Sequence, residues 1–178
     1  MPGVVAAVTF TEDWFGAPSC AALAGLYGRV ADLDGHVVEV GSWEGRSTIA
    51  LCEAAAPAEV RAVDTWLGSP HEPSAVLAAE RDVFATFTAN TAHLANLQVF
   101  RMGWREYVAD HLGPTRLLFV DAEHTYHEVH DTLDAWLAHM VPGGIICGDD
   151  AHHPPVQQAV LERFPRANVL ATLWWWKL

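Results

Sequence analysis

Three aspartates stand where apolar stretches of the sequence end. Asp121 follows the stretch 117–120, and Asp149 and Asp150 follow 145–148. If both stretches are neighbouring parallel strands, about 4.8 Å apart, the three carboxylates meet at one sheet edge. Clustered carboxylates repel one another unless a cation neutralises them, and oxygen ligands suit a hard ion such as Mg²⁺. The pattern predicts a divalent metal site; the alternative is that one of the last two aspartates only caps a turn.

Several histidines follow these aspartates. His124 lies three residues after the first aspartate, where it can sit beside the metal. His127 and His130 continue at the same interval along one helix face, so a three-histidine zinc or iron site is a second interpretation. Solvated or capping roles are the more usual ones for such residues. His152 and His153 adjoin the aspartate pair and are secondary candidates for the same pocket.

A turn with two glycines follows an earlier apolar stretch. Glu39 is followed by Gly41 and Gly45, and a segment of helical pattern begins there. Glycines permit left-handed dihedrals and close ligand approach, and a helix N-terminus offers unpaired N–H groups. The Gly-x-x-x-Gly spacing differs from the Gly-x-Gly-x-x-Gly of pyrophosphate-binding Rossmann enzymes, and no Tyr-x-x-x-Lys pair is present. A nicotinamide-dependent reductase is therefore disfavoured.

Asp64 ends the next apolar stretch, 25 residues after Glu39. An acidic acceptor at this position can take both hydroxyls of a ribose. The alternative is that Asp64 caps the following turn. Together with the glycine turn, this aspartate favours a cofactor that contains a ribose.

The order of elements needed to position these residues is an alternation of short apolar stretches with segments of helical period. This alternation predicts an α/β fold, a doubly wound, mostly parallel Rossmann-like sheet with helices on both faces, in a single domain. The predicted strands are 36–40, 60–63, 97–101, 116–120 and 144–147. The predicted helices are 18–31, 45–55, 74–93, 104–111, 126–140 and 155–164.

Two local signals refine this pattern. A Pro-Gly-Gly run at 142–144 is expected to end the helix predicted over 126–140. Three adjacent tryptophans at 174–176 lie in the final stretch 168–178, which we interpret as an edge strand packed under helices on both sides. Successive strand residues face opposite sides, so at least one tryptophan needs cover on the second face. A dimer contact is the alternative.

The composition and net charge limit the classes of function that this chain could have. The chain has 178 residues, 51% hydrophobic and 18% charged, which is typical of a folded globular domain. Its formal charge of −12 disfavours nucleic acid and anionic membranes as partners. Three widely spaced cysteines argue against a disulfide framework. No basic region precedes the first apolar run, and no run approaches the roughly 18 residues of a membrane span, so we expect a cytoplasmic protein.

The combined motifs resemble those of class I S-adenosylmethionine-dependent methyltransferases. The most similar group is the compact metal-dependent sugar O-methyltransferases of macrolide and aminocoumarin biosynthesis. The resemblance extends roughly from Val37 to Asp150 and is carried by the segments 39–48, 63–66, 121–126, 142–144 and 149–150.

This resemblance implies S-adenosylmethionine as cofactor, with Mg²⁺ or another hard divalent cation. Asp64 would hold the ribose, and Trp66 or Trp104 would flank the adenine. The implied metal ligands are Asp121, Asp149 and Asp150. The implied cofactor-binding residues are Glu39, Gly41, Ser42, Trp43, Gly45, Ser47, Asp64, Thr65, Trp66 and Trp104.

The resemblance also implies the catalytic residues. His124 stands where catechol O-methyltransferases have a lysine, and some sugar O-methyltransferases use a histidine there as base. His124 and Asp121 would therefore be the catalytic residues. In the implied mechanism, the enzyme aligns an acceptor hydroxyl with the sulfonium methyl, and a cation chelates two neighbouring oxygens of the acceptor. His124 then removes the proton of that hydroxyl.

The implied acceptor is a small-molecule hydroxyl of a sugar or glycosylated natural product. Its pocket is predicted from the segments 10–15, 69–73 and 152–155. A homo-oligomer is left open. The alternatives are a metal-dependent hydroxylase of antibiotic biosynthesis, whose motifs are similar, and a non-catalytic cofactor-binding module.

Overall fold

The computed structural model describes residues 8–178; the segment 1–7, where the chain was expected to carry no secretion signal, lies outside them. The strands are β1 His36–Val40, β2 Val60–Asp64, β3 Leu97–Arg101, β4 Thr115–Val120, β5 Met140–Gly148, β6 Asn168–Leu170 and β7 Leu173–Lys177. The helices are α1 Ala17–Gly28, α2 Arg46–Ala55, α3 Pro73–Glu80, α4 Val83–Thr91, α5 Trp104–His111, α6 Tyr126–Leu137 and α7 Pro154–Arg163. Among these residues no helix is both long and apolar enough to span a bilayer.

All seven strands form one sheet in the order β3-β2-β1-β4-β5-β7-β6. Strands β1 to β5 are parallel, and β7 pairs antiparallel with both of its neighbours. The predicted doubly wound, mostly parallel fold is confirmed. The register of β4 on β5 places Val120 beside Gly148, so the residues that follow both strands emerge at the same level of the sheet.

Alternation along the strands builds a core on each face. Leu118 and Ile146 pack with side chains of α6 and α7, whereas Leu117 and Ile145 pack with side chains of α1 and α2. All four leucine and isoleucine side chains are fully buried. Burial on both faces explains why these strands are continuous apolar runs in the sequence.

The predicted helix 74–93 is wrong, because the structure divides it into α3 and α4. The break lies at Arg81 and Asp82, and the Asp82 side chain caps α4 by accepting a hydrogen bond from Ala85 N at 3.0 Å. An aspartate before a helical run is a recognised N-cap signal. None of the residues of α3 is buried, so α3 lies at the surface.

The prediction that the Pro-Gly-Gly run ends a helix is also wrong. Helix α6 ends at Leu137, and Pro142 to Gly144 lie inside β5 rather than at the end of a helix. The register between β4 and β5 shifts between Thr115 and Leu117, which accommodates this irregular stretch.

The tryptophans lie on β7, which is an inner strand rather than the predicted edge strand. A turn at Ala171 and Thr172 folds the final stretch into a hairpin, and β6 forms the edge. Trp174 packs in the core beneath α6 and α7, whereas Trp175 packs against the core beneath α1 and α2. The expected use of both faces is therefore confirmed. The predicted edge position is wrong, because the turn at Ala171 and Thr172 lets β6 pair with β7 on its outer side.

Candidate active site

A cavity of about 550 Å³ opens at the carboxyl ends of the parallel strands. The ends of four strands contribute to its wall through Val40, Val63, Val120 and Asp149. Ligands of open parallel sheets bind at this edge, next to the point where the strand order reverses between β1 and β4. Five of the predicted cofactor-binding residues line it, namely Gly41, Trp43, Asp64, Thr65 and Trp104.

Asp64 lines this cavity and also holds two loops together. Its Oδ2 accepts hydrogen bonds from Ser42 N at 2.7 Å and Trp43 N at 3.0 Å, and its Oδ1 accepts one from Trp66 N at 2.7 Å. A carboxylate has about four acceptor positions. Three are occupied, which leaves one for a ribose hydroxyl rather than two. The turn-capping alternative is therefore confirmed by these contacts, and the binding of a ribose by Asp64 stays a prediction.

Replacing Asp64 by asparagine is expected to weaken S-adenosylmethionine binding by about 1.5–3 kcal/mol, the usual range for a hydrogen bond to a charged group. The amide nitrogen would also face a backbone N–H and loosen the turn at Ser42 and Trp43. Calorimetric titration measures the effect, with exposed Asp110→Asn on α5 as control. Equal affinities for the two variants would exclude Asp64 from the cofactor site.

The two glycines of the turn are required mainly by the packing of the chain. Gly41 has a φ of +89°, and a Cβ there would collide with the backbone of Asp121. Gly45 has a φ of +90°, and its Cβ would lie 2.9 Å from Thr91 Cγ2. Gly41 lines the cavity, whereas Gly45 does not. Gly45 instead lets the start of α2 pack closely against α4, and it does not line the cavity in which the cofactor contact was predicted.

Glu39 is fully buried and lies outside the cavity. It accepts hydrogen bonds from Ser42 Oγ at 2.8 Å and from Thr48 Oγ1. Burial raises its pKa to about 7. Ser42 and Ser47 line only a small adjoining cavity of about 60 Å³. Glu39 is thus a support that joins β1 to the start of α2 rather than a direct cofactor ligand.

Trp66 does not line the 550 Å³ cavity, so it cannot flank an adenine there. Its side chain is 2% exposed, lies between Phe84 and Phe87, and donates its indole N–H to Trp43 O at 2.8 Å. The packing of Trp66 on these two phenylalanines fixes the segment after β2 against α4. Trp104, the other predicted residue, does line the cavity, and its indole N–H is held by Glu128 at 3.0 Å.

A cluster of Asp121, His124 and Asp150 forms the far wall of the cavity. His124 Nε2 lies 2.9 Å from Asp150 Oδ2 and 3.7 Å from Asp121 Oδ1. Side-chain ligand atoms of these three residues all lie within 4.8 Å of one another. Asp149 is not part of this tight group, although it lines the same cavity and its Oδ1 is buried without a hydrogen-bond partner among residues 8–178.

The charges of this cluster are strongly coupled. Burial alone would lower the pKa of His124, but Asp121 and Asp150 outweigh it and raise the pKa to about 11. Burial, reinforced by Asp149 and Asp150, raises the pKa of Asp121 to about 7, while His124 lowers the pKa of Asp150. In this geometry the imidazolium supplies the positive charge that three neighbouring carboxylates require.

Glu72 is a site residue that the sequence reasoning missed. Its Oε1 accepts a hydrogen bond from His124 N at 3.0 Å, and its Oε2 lies 3.0 Å from His124 Nδ1. This contact holds the Nδ1 proton, so Nε2 faces the two aspartates. The sequence signal at Glu72 is only that of a helix start, since Pro73 follows at the first position of α3.

The other histidines are separated from the cluster. His130 faces Asp131 and Asp134 on α6, and His127 contacts the ring of Tyr126. Within residues 8–178 the structure does not bring them to His124, so the three-histidine site is not formed. His153 lines the cavity, with its ring centroid 6.0 Å from that of His124.

A second cavity, of about 680 Å³, adjoins the cluster on the outer side. The two cavities share Glu72, His124 and His153 in their walls. Of the segments predicted to line an acceptor pocket, parts of 69–73 and 152–155 line this second cavity. The segment 10–15 does not line it. This segment lines the small cavity over the glycine turn, and Trp14 also lines the first cavity, of about 550 Å³.

Solved structures with a similar fold include several methyltransferases. NovP, described as an O-methyltransferase, shares 19% identity over 91% of this chain and 80% of its own, with a TM-score of 0.66. CalS11, described as a calicheamicin methyltransferase, shares 15% identity over 92% and 80%, with a TM-score of 0.67. TomG from Streptomyces achromogenes, an O-methyltransferase of tomaymycin synthesis, shares 19% over 84% and 67%, with a TM-score of 0.58.

At these identities the similarity establishes the fold alone, and no curated sequence matches the chain significantly. The family described as Methyltransferase domain matches residues 38–151, which is more than half of the sequence. The matched region contains the glycine turn, Asp64, Asp121, Asp149 and Asp150. The resemblance inferred from the motifs is thereby confirmed, and the chain belongs to the methyltransferase-domain family.

Proposed function

We propose that the protein is an S-adenosylmethionine-dependent, divalent-metal-assisted O-methyltransferase that acts on a hydroxyl of a small molecule, a sugar or glycosylated natural product. The observation that carries this proposal is the position of His124 and its aspartates in the wall between two cavities. The first cavity, of about 550 Å³, is called the inner cavity here, and it is large enough for the cofactor. The second, of about 680 Å³, is the outer cavity, and it is open to an acceptor. A base at this boundary lies where a methyl group would pass from one ligand to the other.

The cofactor is assigned to the inner cavity. Asp64 offers its remaining acceptor position to the ribose, and Trp104 offers an indole face for the adenine. Gly41 and Trp43 line the part nearest the start of α2, where the methionine end would lie. S-adenosylmethionine carries a positive sulfonium, which the carboxylates around this cavity favour.

A hard divalent cation fits the far wall. The donor set contains the carboxylates of Asp121, Asp149 and Asp150, and the buried Oδ1 of Asp149 has no hydrogen-bond partner among the described residues. Asp150 has a φ of +57°, an uncommon conformation outside glycine that turns its carboxylate toward His124. When bound, Mg²⁺ would lower the pKa of an acceptor hydroxyl and hold it in position.

His124 is assigned as the general base. Glu72 fixes its Nδ1, and Nε2 faces Asp121 and Asp150, the proposed cation ligands beside which the acceptor hydroxyl would lie. A cation held by Asp121 and Asp150 would offset their negative charge. They would then hold a proton on Nε2 less tightly, and the imidazole would be able to accept the proton of the acceptor hydroxyl.

Three of the similar structures support the choice of reaction. NovP and TomG are described as O-methyltransferases, and one CalS11 structure as a TDP-rhamnose 3′-O-methyltransferase. The test is methyl transfer from S-adenosylmethionine to a panel of glycosides and free alcohols, with and without Mg²⁺. Turnover that requires O₂ and Fe²⁺ would instead support a hydroxylase, and tight cofactor binding without any turnover would support a silent binding module.

Replacing Glu72 by glutamine is expected to reduce kcat by about 10- to 100-fold, the usual effect of losing a partner that orients a site histidine. The amide retains the size of the side chain but holds the Nδ1 proton less firmly. Cofactor affinity should stay within about twofold of wild type. Steady-state kinetics and calorimetry measure both quantities, with Glu80→Gln at the exposed end of α3 as control. A kcat equal to that of the control would remove Glu72 from the site.

We also propose a cytoplasmic location. Its support is that Cys20, Cys52 and Cys147 are free thiols, two of them buried in the core. Burial raises the pKa of both buried thiols, which keeps them in the unreactive protonated form.

A further inference from the structure

Trp14 is an exposed tryptophan in the wall of the inner cavity. It is 53% exposed, and it lines both the inner cavity and the small cavity over the glycine turn. Its ring centroid lies 5.4 Å from that of Trp43, with the two ring planes tilted by 38°. Ligand cavities are lined largely by apolar and aromatic side chains, which the bound ligand covers. The position of Trp14 is therefore that of a ligand contact rather than that of a core residue.

The segment that carries Trp14 is held in place by a buried carboxylate and an arginine. Residues 9–15, called the N-terminal strap here, contact the glycine turn. Glu44 of that turn is 2% exposed and accepts hydrogen bonds from Thr11 N at 2.7 Å and from Thr11 Oγ1 at 2.6 Å. Arg81 lies 3.0 Å from Glu12 Oε1 and 3.3 Å from Glu44 Oε1. These contacts fix the part of the strap that precedes Trp14.

The start of α2 and the core fix the strap on both sides of Trp14. Arg46 donates hydrogen bonds to Glu12 O at 3.2 Å and to Phe15 O at 3.3 Å, and it forms an ion pair with Asp13. Phe15 is buried in the core beneath α1 and α2. The backbone is thus anchored before and after Trp14, whereas the indole ring itself stays at the surface beside the cavity.

The junction of the inner and small cavities is marked by the residues that line both of them, which are Trp14, Gly41, Trp43 and Asp121. The proposed function places the methionine end of the cofactor near Gly41 and Trp43, and its methyl group toward the cluster that contains Asp121. The sulfonium connects these two parts, so it would lie at this junction beside Trp14. A cation within about 6 Å of a tryptophan ring is attracted by the negative face of the ring.

We infer that Trp14 recognises the charge of the cofactor: its indole ring covers the sulfonium of S-adenosylmethionine and binds this cation more tightly than the neutral thioether of S-adenosylhomocysteine. The inference rests on the proposed methyl transfer, which supplies the cofactor and its place. When the methyl group leaves, the electron pair of the broken C–S bond stays on sulfur, and the positive charge is lost. The ring would therefore hold the substrate form of the cofactor and release the product form. The family match begins at residue 38, so this contact comes from a segment that precedes the matched region.

Calorimetric titration of Trp14→Leu with each of the two ligands, in the presence of Mg²⁺, tests the inference. Leucine keeps an apolar side chain but has no aromatic face. The Kd for S-adenosylmethionine is expected to rise by about 3- to 10-fold, the range of one cation–π contact. The Kd for S-adenosylhomocysteine should change by less than about twofold, because no charge is present. Trp14→Phe retains an aromatic face and should keep a preference closer to that of wild type.

Phe10→Leu is the matched control. Phe10 is an aromatic residue of the same strap that lies against Arg46, and it does not line the inner cavity. Its ratio of the two Kd values should equal that of wild type. An equal loss of both affinities in Trp14→Leu would make the ring a simple apolar cover and would overturn the inference, as would unchanged affinity for both ligands.

The proposed function fails in a different way from this inference. If the wild-type protein prefers S-adenosylmethionine through Trp14 but methylates no acceptor, the proposed reaction is wrong and the role of Trp14 stands. If the wild-type protein methylates an acceptor but Trp14→Leu keeps the wild-type ratio of Kd values, the reaction stands and the inference is wrong. Absence of any S-adenosylmethionine binding to the wild-type protein would overturn both.

Discussion

Removal of divalent cations is expected to abolish methyl transfer while leaving most of the affinity for the cofactor. The two effects separate because the cation is assigned to Asp121, Asp149 and Asp150, whereas Asp64 and Trp104 lie along other parts of the cavity wall. Without the cation, His124 remains paired with the aspartates, and its pKa of about 11 keeps it protonated at neutral pH. The residual rate should fall below about 1% of wild type, since both the positioning of the acceptor and the base are lost.

The measurement is turnover in excess EDTA, followed by addition of Mg²⁺, with S-adenosylhomocysteine binding followed by calorimetry in both states. Asp150→Asn should lose activity at low Mg²⁺ and regain part of it as Mg²⁺ is raised, because mass action offsets a lost ligand. Asp131→Asn, an exposed carboxylate on α6, is the matched control. Full activity in excess EDTA would remove the cation from the mechanism.

The strands that form the site could be predicted because each is buried on both faces. A continuous apolar run such as Leu117 to Val120 indicates a strand that is covered on both faces of a parallel sheet. The parallel arrangement then fixes that their carboxyl ends share one edge, so the approach of Asp121 to Asp150 follows from sequence. The level at which the two aspartates emerge follows from the register of β4 on β5.

Side-chain directions at this edge could not be predicted. Trp66 and Trp104 both follow strands, yet packing on Phe84 and Phe87 takes Trp66 into the core. Asp149 and Asp150 are adjacent, but only Asp150, which has a left-handed backbone conformation, lies against His124. Such choices depend on tertiary contacts that no local pattern records.

The contact between Glu72 and His124 could not be predicted either, because the two residues are far apart in the sequence. Glu72 reaches a histidine 52 residues away, because the segment before α3 folds back over the loop after β4. Ser69 strengthens this contact by donating its hydroxyl to Ala122 O at 3.0 Å. No periodicity connects the two segments in the sequence, so the partner of the proposed base could only be found in the structure.

Replacing His124 by alanine is expected to reduce turnover by roughly 10²- to 10⁴-fold, the usual contribution of a positioned general base. The cofactor cavity keeps its other walls, so S-adenosylmethionine affinity should be unchanged. His127→Ala is the matched control, because His127 lies three residues further on, is exposed and lines neither cavity. Raised Mg²⁺ should not restore the rate of His124→Ala, in contrast to the aspartate variant.

The pH profile distinguishes a base from a metal ligand at the same position. A base must lose its proton before it acts, so the wild-type rate in the presence of Mg²⁺ should rise with pH as the His124 imidazolium loses its Nε2 proton. The alanine variant should lack this rise while Mg²⁺ binds to it with near wild-type affinity. If Mg²⁺ affinity instead falls together with the rate, Nε2 of His124 is a ligand in the Asp121 and Asp150 cluster, and the proton must pass to another acceptor such as His153.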